Sequence, residues 1–303
     1  MKIGFSTLGC PDWNLEGVIA LAKQMGYAGV ELRGVQGAMH LPTAPALSAD
    51  PAAVRNLFDE AGVELACLAS DASFSARDKH EIADNKAVVR EYIELAAAVG
   101  APMVRVLAGH TGAVGWYGFE PRRATLQRIA DALCDLAPIA AEHRVTLVIE
   151  NQGDFADSGV LWHIVDAVSH PAVKACYNPF HGKTALERPT IAVPRLGVRI
   201  GMTLVCDGTF DDHGRLLKHT PLGEGDVELR RFVQLLRGIR YEGYLMFAWP
   251  KLLFPSLAAP EQVMPDARKY LTELIEEKSA VLSAYKGDKN APKNAPSTTQ
   301  TTA

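Results

Sequence analysis

Glu150 follows the apolar run TLVI directly, at the point where a strand would stop and its last side chain would face a cavity. A carboxylate so placed can bind a metal or move a proton. It can equally pair with a nearby arginine such as Arg33 or Arg105. In YNPFH, Asn178 ends a second apolar run and His181 lies three residues on. That imidazole can touch substrate and act as acid or base, or it can be a solvated loop histidine. Arg33, in VELRG, suits an anionic or hydroxylated ligand, or an ion pair with Glu31 or Glu150. Glu150 and His181 are therefore the catalytic candidates. Arg33, His110, Asn151, Asn178, Asp207 and Trp249, each at or just beyond the end of an apolar run, form the substrate-binding set.

These residues need a scaffold that brings many strand ends together. Short apolar, β-branched runs predict eight strands, at Lys2–Phe5, Gly29–Leu32, Glu64–Leu68, Met103–Leu107, Thr146–Ile149, Val173–Tyr177, Val198–Val205 and Gly243–Phe247. Helical periodicity fills the gaps. Leu126, Ile129, Ala130, Leu133, Leu136 and Ala140 share one helix face, opened by Pro121, with Pro138 as a bend. Val263, Ala267, Tyr270, Leu271, Leu274 and Ile275 share another, predicted to end near Gly287. Asp226, in LGEGD, reads as the N-cap of a further helix. Strands alternating with helices pair in parallel. Eight units in one chain predict a closed α/β (β/α)8 TIM barrel rather than a doubly wound sheet, and the first turn, STLGCPDWN, lacks GxGxxG. The reading is one barrel domain over residues 1–285. The polar, Pro-, Ser- and Thr-rich segment 286–303 is a disordered tail, because it has too little apolar surface to offset its ordering entropy.

Composition narrows the function classes. The 303 residues are 48% hydrophobic and 22% charged with net charge −4, which gives no basic footprint for nucleic acid. No run approaches the roughly 18 apolar residues of a membrane span. Five scattered cysteines, without a CxxC pair, point to a reducing cytoplasm. Gly182–Thr184 reads GKT but lacks the upstream P-loop glycine, and HEIAD at His80 lacks the second histidine of HExxH. No GxSxG elbow occurs.

Six stretches in order, FSTLGCPDWNLE, GYAGVELRG, LVIENQGDF, YNPFHG, PLGEGDVEL and YEGYLMFAWPK, resemble the sugar phosphate isomerase/epimerase family with its xylose-isomerase-like TIM barrel. The resemblance runs from Lys2 to about Ala280. It implies isomerisation, epimerisation or dehydration of sugars, inositol derivatives and related polyols. It also implies one divalent metal held by a Glu, an Asp, a His and a second Glu, with the two glutamates moving the proton α to a carbonyl. On this sequence the first Glu is Glu150, the Asp falls on Asn178, the His on Leu204 and the second Glu on Ala248. His181 is kept and Asp207 survives from the third motif. With three of the four ligand positions changed, no metal is expected to bind in the family manner and no cofactor is expected.

Three readings follow from these residues. The first is a metal-independent isomerase, epimerase or lyase acting on a sugar-like or cyclic hydroxy-carbonyl compound. The second is a non-catalytic sugar-binding or structural paralogue, as a homo-oligomer or paired with an active relative. The third is a metal site rebuilt from Glu150, His181 and Asp207.

Overall fold

Parallel strands buried on both faces must be apolar throughout, and the runs named above meet that demand. In the computed structural model, which describes residues 1–109 and 122–277, eight of them close a barrel. In chain order the strands are β1 (Lys2–Ser6), β2 (Gly29–Leu32), β3 (Glu64–Ser73), β4 (Met103–Leu107), β5 (Thr146–Glu150), β6 (Val173–Tyr177), β7 (Ile200–Val205), β8 (Asp207–Phe210), β9 (Leu216–Thr220) and β10 (Tyr244–Phe247). The barrel order is β1-β10-β7-β6-β5-β4-β3-β2, closed by parallel pairing of β1 with β2. β8 and β9 stand outside it as an antiparallel pair. His110, Pro121 and the segment 286–303 lie outside the described residues.

Alternation along each strand divides the core in two. On β5, Leu147 and Ile149 point outward to the helices, while Val148 points into the barrel and Glu150 continues that inner face at its mouth. Ala66, Cys67, Cys176, Met202, Tyr244 and Met246 fill the interior with Val148. Helices packed outside cover the other face; those at Leu15–Met25, Pro51–Ala61 and Lys79–Val99 are opened by Asn14, Asp50 and Asp78, whose side chains accept from backbone amides of the first turn.

The sequence expectations differ from the structure at the bounds of β3 and β7. β3 continues to Ser73, past the predicted end at Leu68, because ASDAS carries no apolar signal yet pairs with β4 through a register shift. β7 begins at Ile200, since Gly197–Arg199 is a 3-10 turn with Val198 82% exposed. Pro138, expected to bend its helix, lies within Arg122–Glu142. The last described helix is Pro260–Glu276; its predicted end near Gly287 lies outside the described residues.

A further difference bears on the site. Asp226 is not a helix N-cap: the helix is Leu229–Gly238, and the Asp226 carboxylate accepts from Phe210 N at 2.8 Å. The LGEGD turn instead wraps around Asp207. The amides of Gly208, Gly223, Gly225 and Val227 donate to its carboxylate at 2.8, 2.9, 3.2 and 3.2 Å. Glycine is required in that turn. Gly223 has φ +88°, and a Cβ at Gly225 would stand 2.1 Å from Asp207 Oδ1. Burial pushes the Asp207 carboxyl up, and the four amides oppose that shift without cancelling it. Asp207→Ala should therefore cost about 2–4 kcal/mol by leaving buried amides unpaired, with Asp207→Asn costing less. Urea titration of both variants checks this; equal stability of D207A and wild type would remove the cradle from the account.

Candidate active site

The mouth of the barrel is built on one buried cation. Arg105 faces inward from the middle of β4, between the outward-facing Val104 and Val106. Its Nε and Nη2 donate to the two oxygens of Glu31 on β2, each at 3.2 Å, and its Nη1 donates to Glu150 Oε2. Ser6 Oγ on β1 completes Glu31 at 2.8 Å. All four side chains are buried. Burial works against the Arg105 charge, but the carboxylates on either side outweigh it and hold the guanidinium firmly protonated.

Glu150 carries the site outward from this charge. Its Oε1 accepts from Asn178 Nδ2 at 3.2 Å and lies 3.4 Å from His181 Nε2. Burial would raise the carboxyl, yet Arg105, His181 and Asn178 together hold it down at about 2. Glu150 is thus ionised at neutral pH and a poor proton acceptor. Asn178 caps the short helix Pro179–Thr184 by accepting from Phe180 N at 3.1 Å, and this helix presents His181. Asn151 fixes the junction, accepting from Asn178 N at 2.7 Å and donating to the Asn178 and Ala156 carbonyls.

Above these groups lies a cavity of about 360 Å³, within the usual range for small-molecule sites. Glu150, His181, Asn178 and Arg33 all line it, so four of the sequence candidates converge. Arg33 pairs with Asp71, not with Glu31 or Glu150, which take Arg105 instead. Three other candidates point elsewhere. Asn151 is buried among backbone groups, Asp207 is held in its amide cradle, and Trp249 joins the outer core with Nε1 donating to Ala258 O at 2.9 Å. None of the three lines the cavity. A metal site built from Glu150, His181 and Asp207 is therefore not assembled here. His110 is outside the described residues.

Sequence reading missed Phe180, His219 and Phe254 as lining residues and gave Arg105 only the place of an ion-pair partner. The charge inside MVRVL was the available signal for Arg105, since strand alternation alone turns it into the barrel. His219 had none, because it arrives on the unpredicted β9. Its ring stacks on Phe180 at 5.1 Å and lies 4.7 Å from Phe254. Burial lowers its imidazole. Burial also pushes the thiols of Cys67, Cys176 and Cys206 well up, so they stay protonated and unreactive.

A closed parallel barrel with its charged cavity at the strand C-terminal ends has the layout of a (β/α)8 enzyme. The family profile described as xylose isomerase-like TIM barrel matches residues 19–274, and the chain belongs to that family. Three solved structures are similar. An IOLI protein with a binding zinc atom aligns at TM-score 0.76 and 17% identity over 92% of this chain and 100% of that one. An L-ribulose 3-epimerase aligns at 0.73 and 16% over 96% and 99%. A probable 3-DHS dehydratase from Bacillus anthracis aligns at 0.71 and 14% over 90% and 99%. At these identities the likeness establishes the fold. A sequence search of curated proteins finds no match. Among the described residues no helix is long and apolar enough to cross a membrane.

The buried charges set the acid limb of stability. The Glu150 carboxyl is held at about 2 in the fold, against about 4.3 in an unfolded chain. Its contribution is complete above the unfolded value and is lost as pH falls toward about 2, by about 3 kcal/mol in all. Glu150→Gln should flatten the stability profile between about pH 5 and pH 2. Arg105→Met, which strands two buried carboxylates, should cost about 3–5 kcal/mol at pH 7. Chemical denaturation across pH measures both, and an R105M protein as stable as wild type would contradict the charge assignment.

Proposed function

We propose that the protein is an isomerase-, epimerase- or lyase-type enzyme acting by metal-independent acid–base chemistry on a small sugar-like or cyclic hydroxy-carbonyl compound. The observation that carries this reading is the Glu150–His181 pair at the cavity, 3.4 Å apart with Glu150 anchored from behind by Arg105. Membership of the family and the fold shared with an epimerase and a dehydratase support the reaction type.

The donor set supports the absence of a metal from the chemistry. Hard divalent cations take several oxygen ligands, usually more than one carboxylate. Glu150 has one oxygen on the Arg105 guanidinium and the other against an amide and an imidazole. Leu204 and Ala248 line the cavity nearby and offer no ligand atom. A second cation beside Arg105 would be repelled by it. Among the described residues, no three His, Cys, Asp or Glu side chains form a metal-binding group.

In this mechanism His181 takes the proton α to the substrate carbonyl. Imidazoles as a class exchange protons near neutral pH, whereas a carboxylate held at about 2 does not accept one there. Glu150 orients the ring and stabilises the imidazolium formed, while Asn178 keeps Glu150 aimed. The enolate then collapses in one of two ways. A proton is delivered to carbon, either to the neighbouring carbon as the hydroxyl proton passes to the carbonyl oxygen (isomerisation) or by solvent to the opposite face of the same carbon (epimerisation), or a β-hydroxyl departs as water with the abstracted proton, giving a lyase reaction.

Solvent deuterium exchange into a panel of hydroxy-carbonyl compounds, followed by NMR after chelator treatment, tests the proposal. Metal-depleted wild type should exchange the α proton, and His181→Gln should lose about 10²-fold or more. Exchange that returns only on adding Mn²⁺, Mg²⁺ or Zn²⁺ would defeat the metal-free mechanism. Exchange unaffected in H181Q would remove His181, and no exchange across the panel would favour a ligand-binding barrel without turnover.

A further inference from the structure

The order of strands around the barrel divides the cavity wall into two unlike arcs. β2 to β6 with the segments that follow them contribute its charged members and all its hydrogen-bonding ones but His219, from Glu31 and Arg33 through Arg105 and Glu150 to Asn178 and His181. The neighbouring arc, β7 and β10 with the segments that follow them, contributes Leu204, Leu216, Ala248, Leu252 and Phe254. Phe180 faces this second arc and stacks on His219, which is packed in turn on Phe254. At the rim Leu253 and Phe254 remain 66% and 43% exposed, so the apolar surface continues out of the cavity.

A free sugar carries oxygen on nearly every carbon, and each buried hydroxyl left unpaired costs about 1–3 kcal/mol. Apart from the His219 ring, the side chains of the β7–β10 arc that line the cavity are apolar and leave such hydroxyls few partners, whereas an apolar ring face would bury well against them.

Arg33 supplies the second observation. It is 9% exposed and lines the cavity, its Nη2 is taken by Asp71, and its buried Nη1 has no hydrogen-bond partner among the described residues. A buried guanidinium nitrogen without an acceptor is an unmet demand that a ligand oxygen can fill. The surrounding charge selects which oxygen. Asp71 already balances Arg33, and Glu31 and Glu150 exceed Arg105 by one negative charge. That excess disfavours a dianionic phosphate more than a single carboxylate, whose approach is offset by charge-assisted hydrogen bonding to the unfilled Nη1.

We infer that the substrate is an amphiphilic ring compound bearing one carboxylate, held with that carboxylate on Arg33 Nη1 and its sparsely hydroxylated ring face against Leu204, Ala248 and the Phe180–His219–Phe254 stack. This refines the substrate class of the site proposed above and rests on that reading. Free hexoses and hexose phosphates are poor ligands on this account.

Titration calorimetry with four probes tests it: benzoate, benzamide, D-fructose and D-fructose 6-phosphate. Benzoate should bind about 10-fold or more tightly than its neutral amide and than either sugar. Arg33→Met should bring benzoate and benzamide to within about 2-fold, while Phe254→Ala should weaken both together. Should R33M fail to fold, NMR of the arginine side-chain resonances of wild type gives the same answer: Arg33 should shift with benzoate and not with benzamide. Tighter binding of either sugar, an unchanged benzoate preference in R33M, or a silent Arg33 resonance would overturn the inference. These readouts are binding, not turnover. Lost carboxylate preference with His181-dependent exchange intact rejects the ligand class alone, whereas retained preference without any exchange rejects only the catalytic reading.

Discussion

A guanidinium enclosed in a parallel barrel dictates much of what surrounds it. Arg105 has left water at a cost of several kcal/mol, which only close anionic partners can offset. Glu31 and Glu150 are those partners, and they approach from strands on either side because the barrel is closed. Once Glu150 is bound to Arg105, its free oxygen must find donors of its own. Asn178 and His181 supply them from the next strand end. The site is therefore a chain of hydrogen bonds running outward from one internal cation, and the exposed end of that chain is an imidazole.

This arrangement recasts the role of Glu150. A glutamate at the end of the fifth strand of such a barrel invites reading as a ligand or a base. Here the carboxylate is too acidic for a base at neutral pH and is already occupied by a positive charge. Its physical effect is to hold and polarise His181. Opposite the charged arc, Leu204 and Ala248 give the cavity an apolar side, and an apolar surround lowers the local dielectric in which such charges interact.

The fold was legible because it is written in signals that do not depend on distant residues. Met103–Leu107 and Val173–Tyr177 coincide with their predicted strands, since a run buried on both faces must be apolar whatever its neighbours are. The β8–β9 hairpin was not legible. Its strands are half-exposed and polar, and its place is set by the turn that closes on Asp207 rather than by any pattern of its own. The site was legible in part for a related reason. Ends of apolar runs locate side chains at the mouth, and Glu150, Asn178, His181 and Arg33 do line one cavity there. The same rule also selected Asn151, Asp207 and Trp249, whose polar atoms are bonded to backbone groups from elsewhere in the fold.

By itself the sequence determined the barrel, the face of each strand that looks inward, and the presence of one arginine among the inward-facing residues, because period and polarity are local properties. Tertiary structure alone decided that Arg105 takes Glu31 and Glu150 while Arg33 is left to Asp71 with one nitrogen unpaired. It also decided that the charged residues gather on one arc of the mouth. Those outcomes depend on which strands become neighbours when the sheet closes, and on distances of a few ångströms between residues up to 74 positions apart in the chain.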